Sequence, residues 1–275
     1  MDNPKTLAKF AKRDGYTNVE KYKQDVLKSQ KTLTLPDGKK ITRGVVKAAG
    51  GVASKKVAIV FSGRLSGFKE NLENIKENLF TGDFEFHVYA TFSDEPKVNT
   101  PELIKLFKTT FSKQIKKITF SDGVVFTPEG GWENVKGNQA MKAIPKNVAR
   151  MWFNRTQAFS LVPNKYDFVL STRIDLVYKN PVNYSKLKTG ILYIPTKADY
   201  GGYQDKMSYG DYNTMKIYMT LYDKMPMLLK KYKINPETLL KNYLNLEKVK
   251  IVRTDLGQVI SPKVPQKQKI ANYIQ

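Results

Sequence analysis

The chain has no cysteine and only one histidine, His87, in 275 residues. The first absence excludes disulfides, thiolate zinc sites and cysteine nucleophiles. The second argues against imidazole metal clusters and Ser-His-Asp chemistry, and His87 itself sits inside a strand pattern, where a structural role is expected. No run is long and apolar enough for a transmembrane span, and the polar, lysine-rich start does not read as a secretory leader. No Gly-x-x-x-x-Gly-Lys-Ser/Thr occurs, which argues against a P-loop. The turn after the first strong strand pattern is Gly63-Arg-Leu-Ser-Gly67 and not Gly-x-Gly-x-x-Gly, which argues against a dinucleotide fingerprint. Acidic residues are scarce as well, 25 against 47 Lys plus Arg, a formal charge of +22. Such a field attracts polyanions, nucleotides and anionic membrane surfaces. The lysines are spread through every segment, whereas a nucleic-acid binder concentrates them on one face.

What is present is a folded chain with 41% hydrophobic and 12% aromatic residues. Residues 1–54 read as an appendage. Lysine-rich helices are predicted near 6–10 and 19–27, then a hairpin turning at Pro36-Asp37-Gly38, then a linker over 48–54. The main domain, 55–275, alternates strands and helices. Val57–Phe61 is a buried-strand pattern. Phe68, Leu72, Ile75 and Leu79 lie on one helical face. A strand follows at 84–90, a helix from Pro101, a strand at 117–120, and an irregular glycine-rich loop at 123–138. A helix around Trp152 then feeds the stretch Tyr166–Tyr178. Beyond it come a strand at 190–195, a loop at 198–211, one helix over 213–229, another from Pro236, a strand at 249–252 and a polar tail. This order predicts an α/β fold with a mostly parallel sheet flanked by helices.

The Tyr166–Tyr178 stretch organises the rest. Phe168-Val-Leu170 reads as a strand buried on both faces, and Arg173 and Asp175 follow at its carboxyl end, where ligands of open α/β sheets bind. Two residues apart in extended chain, they project together. A carboxylate there suits a hard divalent cation and an arginine suits phosphate. An Arg–Asp ion pair capping the strand is the alternative.

Four signatures occur in order: Phe61-Ser-Gly-Arg64, Tyr89-Ala-Thr91, Tyr-Asp-x-Val-x-x-x-Arg-x-Asp ending at Asp175, and Gln204-Asp-Lys-Met-Ser-Tyr-Gly210 followed by Met215. Together, over roughly 56–255, they resemble the soluble nucleotide-sugar-dependent glycosyltransferases of the GT-A fold found in polysaccharide clusters and large DNA viruses. The resemblance implies a hexosyl- or pentosyltransferase using a nucleoside diphosphate sugar, with a UDP-sugar the expected donor and a glycan or glycoprotein the acceptor. It also implies Mn2+ or Mg2+ as cofactor and a cytoplasmic location, the host cytoplasm for a viral protein, with peripheral membrane contact as an option. The family's Asp-x-Asp metal signature is Arg173-Ile-Asp175 here, so only Asp175 is left as metal ligand. Ser62, Gly63 and Arg64 are expected to receive the nucleotide, Thr91 and Asp94 the base or ribose, and Arg150 and Arg173 phosphate. An inverting transfer needs a base; Asp205 is the candidate, with Asp199 and Asp211 as competitors, and Tyr200, Tyr203 and Tyr209 as stacking partners for sugar rings. The alternatives are a basic nucleic-acid-binding protein and another Rossmann-like nucleotide-dependent enzyme.

Overall fold

The computed structural model describes residues 55–260, apart from 124 and 138–143, together with residues 33–34 and 40–41. The chain divides into two units, Met1–Ala53 and Ser54–Gln275, each described by itself. In the first, β1 (Leu33–Thr34) and β2 (Lys40–Ile41) pair antiparallel, Leu33 opposite Ile41, the pairing a hairpin about Pro36-Asp37-Gly38 requires. The turn itself, the helices predicted at 6–10 and 19–27, the linker and the tail from 261 lie outside the described residues.

The second unit is built on β3 (Lys56–Gly63), whose six central residues are all buried. An unbroken apolar run, not an alternating one, belongs to a strand covered on both faces. Val57, Ile59 and Phe61 enter one core, and Ala58 and Val60 the other. The first core is closed by α1 (Phe68–Leu79) and α2 (Pro101–Thr110), where Phe68, Phe107 and Phe111 pack around Phe61. Thr100 caps α2 by accepting the Leu103 N–H, and Pro101 takes the first helical position, where a missing N–H costs nothing. Burying each such side chain contributes about 1.5–3 kcal/mol. On the other face α3 (Pro145–Ser160) lays Val148, Ala149, Trp152 and Phe159 against the sheet.

Between these elements lie β4 (Glu85–Ser93) and β5 (Ile115–Ser121), and after α3 come β6 (Phe168–Thr172) and a short β7 (Leu176–Val177). Then follow β8 (Leu192–Pro195), β9 (Met207–Gly210), α4 (Tyr212–Met219), α5 (Leu221–Leu228), α6 (Pro236–Leu246), β10 (Ile251–Thr254) and β11 (Val259–Ile260). The main sheet runs β10-β8-β9-β6-β3-β4-β5. Every pairing is parallel except those of β9, which is antiparallel to both β6 and β8. The helix-flanked, mostly parallel α/β sheet expected from the sequence is present. Among the described residues no helix is long and apolar enough to cross a membrane.

Three expectations change. The loop predicted over 198–211 contains β9, a fully buried strand beside β6. The single helix predicted over 213–229 is two, broken at Thr220, whose hydroxyl donates back to the Lys216 carbonyl and bends the chain. The strand of the organising stretch stops at Thr172, and Leu176–Val177 pairs instead with β11.

Candidate functional site

The parallel strands β3, β4, β5, β6, β8 and β10 end at one edge of the sheet, and β9 begins there, with Met207 opposite Thr172. Gly63, Arg173, Asp199 and Asp205 therefore belong to neighbouring chain ends.

Past Thr172 the chain leaves the strand for a turn, so Arg173 and Asp175 meet through that turn and not through extended geometry. α1 holds the turn from below. Asn71 donates to the Ile174 carbonyl at 3.1 Å, and Asn74 exchanges two hydrogen bonds with the Tyr178 backbone at 2.7 and 2.8 Å. On this base Arg173 grips Asp175 with two parallel bonds, Nε to Oδ1 at 2.8 Å and an Nη to Oδ2 at 2.6 Å. This is the ion pair anticipated as the alternative, and it sits half-buried at the strand's end. Burial works to lower the Arg173 pKa. The hydrogen bond and charge of Asp175, followed by the charges of Asp205 and Tyr178, outweigh it and leave the guanidinium pKa raised.

Asp205 lies in the tight passage into β9. Its side chain is 6% exposed, and its nearest cation, Lys206 Nζ, stands 3.8 Å away. Its backbone carbonyl accepts the Tyr218 hydroxyl at 2.9 Å, which fixes the loop, and among the described residues the carboxylate makes no hydrogen bond. The competitors are already engaged in structural bonds. Asp199 accepts the Gln204 N–H at 3.0 Å and an Arg253 Nη at 2.7 Å. Asp211 caps α4, accepting the Asn213 and Thr214 N–H groups, and takes the Gly190 N–H at 2.6 Å.

The remaining predicted residues divide. Gly63 closes β3 at φ +107° with open space where a side chain would be, so backbone approach by a ligand is unobstructed there. Ser62, beside it, is buried. Arg64 is exposed and paired with Glu95 at 2.8 Å, joining the exits of β3 and β4. Asp94 is exposed at the end of β4. Thr91 corrects the expectation: it lies inside β4, buried, with its hydroxyl bonded to Thr119 at 2.8 Å, and is not presented to a ribose. Arg150 is exposed early in α3, its stem against Gly123 just past β5. β5 is three strands from β6, about 14 Å at the spacing of a sheet, so Arg150 does not join Arg173. Of the tyrosines, Tyr200 is 61% exposed, while Tyr209 is core, stacked on Tyr193 at 5.4 Å, and cannot receive a sugar. Arg253 lies over the Tyr203 ring at 5.3 Å. His87 is structural, bonded to the Tyr166 hydroxyl at 2.7 Å and to Glu85 at 2.9 Å; burial, then Lys116, lowers its pKa.

Sequence reasoning missed Glu237, at the start of α6. The Tyr203 N–H donates to its carbonyl, and a Cβ at Gly202 would lie 1.9 Å from that oxygen, so only glycine lets α6 dock here. The side chain is buried and its Oε2 has no hydrogen-bond partner. Burial, then the charge of Asp205, pushes its pKa up to about 7. Asn235-Pro-Glu237 announces a helix start; nothing local announces that the glutamate points inward.

A hard divalent ion takes six or more oxygens. Asp175 offers one carboxylate whose two oxygens are engaged by Arg173, and among the described residues no three His, Cys, Asp or Glu side chains converge. This donor set does not fit a resident ion.

A family model described as a domain of unknown function (DUF7796) matches residues 154–263, a span that includes Arg173, Asp175, Asp205 and Glu237. No curated protein matches the chain. Among solved structures, the apo form of mouse xyloside xylosyltransferase 1 is similar with a TM-score of 0.44 and 9% identity, over 73% of this chain and 85% of that one.

Proposed function

We propose that the chain transfers a sugar from a nucleoside diphosphate sugar, a UDP-sugar in the first instance, to a glycan hydroxyl with inversion. The observation that carries this reading is the presence, at one sheet edge, of a fork-shaped guanidinium and a buried carboxylate that makes no hydrogen bond among the described residues. The first suits a diphosphate and the second suits a proton. The donor's diphosphate takes its place against Arg173, near the open backbone of Gly63. The acceptor oxygen attacks the anomeric carbon, the bond from that carbon to the diphosphate breaks, and the nucleoside diphosphate leaves with the electron pair. Arg173 offsets the charge that develops on it. Asp205 takes the acceptor's proton, and Tyr200 is the exposed ring available to a sugar face.

A thermal-shift panel of nucleoside diphosphates and nucleotide sugars, with and without Mn2+, tests the reading. A ligand at about one hundred times its Kd adds roughly 2.7 kcal/mol. Arg173→Ala should abolish that stabilisation while the variant stays folded. Silence across the whole panel refutes the proposal.

A further inference from the structure

A groove of about 650 Å³ opens on the α3 side of the sheet, within the range of ligand clefts. One wall is the segment 126–136 and the other is the end of α5 with residues 230–233. The walls are joined. The Ile234 N–H donates to the Lys136 carbonyl at 3.0 Å, Gly137 bridges to Ile234, and the Phe126 N–H donates to the Tyr222 hydroxyl at 2.8 Å. Four lysines line it, Lys136, Lys230, Lys231 and Lys233, all exposed, against one acid, Glu129. Among the described residues none of the four has a carboxylate within ion-pair distance, whereas Lys56, Lys76, Lys197 and Lys206 each do. Ring faces accompany them: Phe126, packed on Trp132, and Tyr232, with Lys231 Nζ at 5.5 Å from its centroid. The groove also leads to the site along the chain, for Lys233 is followed by Ile234, Asn235, Pro236 and Glu237.

We infer that this groove binds an anionic glycan, a chain of sugars bearing carboxylates or comparable acids, as the extended acceptor. Pyranose faces pack on Phe126 and Tyr232 and the acidic groups meet the unpaired lysines. The inference rests on the transfer reading above for the carbohydrate nature of the ligand; the charge requirement comes from the groove alone.

The test measures binding of an oligogalacturonate hexamer, and of an uncharged hexasaccharide of equal length, by calorimetry at about 0.1 M salt without nucleotide, where screening confines charge effects to about 10 Å. Two variants are compared. Lys231→Glu with Lys233→Glu alters the groove. Lys105→Glu with Lys108→Glu alters α2, on the opposite face of the sheet. Each changes the formal charge by four, from +22 to +18, so the overall field is matched. The expected result is about a tenfold or greater loss of oligogalacturonate affinity in the groove variant, less than about twofold in the α2 variant, and no binding of the neutral chain. Lys231→Ala with Lys233→Ala supplies the same comparison should charge reversal impair folding. Equal losses in both variants, or equal binding of the neutral chain, overturn the inference. So does a single-stranded oligonucleotide of equal charge that binds more tightly and is lost in the groove variant alone. Should the nucleotide panel be silent while the groove variant alone loses oligogalacturonate, the transfer reading falls and the groove stands as a binding site for acidic glycans.

Discussion

Replacing Glu237 by glutamine should make the protein more stable, and increasingly so as pH rises. The carboxyl is buried, its Oε2 has no partner, and it lies within the field of Asp205. Burial first, then that neighbouring charge, raises its pKa from 4.5 to about 7, against the opposing pull of its own backbone, Lys206 and Asn235. A group whose folded pKa is raised contributes stability that is full below the unfolded value and is lost as pH rises through the folded one. The window is therefore from about 4.5 to about 7. That interval corresponds to at most about 3.4 kcal/mol, and relaxation of the protein around the buried carboxylate brings the expectation to about 1–2 kcal/mol. Glutamine keeps the shape and cannot ionise. Urea denaturation at pH 5, 6, 7 and 8 should show the two proteins nearly alike at pH 5 and the variant ahead at pH 8. A domain of this size should gain about 2–4 °C in Tm per kcal/mol. Parallel pH profiles, or a variant that falls behind as pH rises, would refute the burial argument. Asp205→Asn provides a second check, since removing that charge should lower the Glu237 pKa and shrink the difference between the two proteins.

Three further outcomes follow from the same geometry. Asp205→Asn should keep nucleotide affinity and lose about a hundred- to ten-thousand-fold in transfer, measured by release of nucleoside diphosphate in the presence of acceptor; Asp199→Asn, by contrast, should show its effect in denaturation midpoint. Asp211→Ala should destabilise by about 1 kcal/mol or more, because α4 loses its cap and Gly190 its acceptor, while donor affinity is unchanged. Gly202→Ala places a Cβ 1.9 Å from the Glu237 carbonyl oxygen and should cost about 1–3 kcal/mol, read as a fall in urea midpoint.

The parts of the fold that were legible in the sequence are those whose signal is local. β3 and β6 are unbroken apolar runs, and α1 repeats its apolar residues at helical spacing. β9 was hidden because its four residues, Met207-Ser-Tyr-Gly210, include a hydroxyl and a glycine. Ser208 nonetheless lies at full burial, with its hydroxyl directed to the Tyr193 carbonyl at 3.3 Å, a partner 15 residues away in the chain. The asparagines of α1 are illegible for the same reason. Asn71 and Asn74 look like polar interruptions of a helix face, and their purpose appears only when the turn at 174–178 is laid against them. Arg173 and Asp175 could be found because the carboxyl end of a buried strand is a place where ligands bind. Glu237 could not, because its burial depends on α6 docking onto Gly202 from 35 residues away.

The division of labour among the acidic residues follows from how many of their lone pairs are already spoken for. A carboxylate that accepts backbone N–H groups and an arginine holds structure, since any ligand must first break those bonds. Asp211, with three N–H donors, and Asp199, with an N–H and Arg253, are in that position. Asp175 is intermediate. Its two bonds run to Arg173, so it orients the guanidinium that the proposed transfer turns toward the donor's phosphate. Asp205 alone of these four makes no hydrogen bond among the described residues, its nearest cation 3.8 Å away, at a buried position where an unmet carboxylate is costly. The fold bears that cost at the edge where the six parallel strands of the main sheet end. Under the proposed transfer, an acceptor hydroxyl bound there would supply the bond Asp205 lacks, and in doing so would present its proton to that carboxylate.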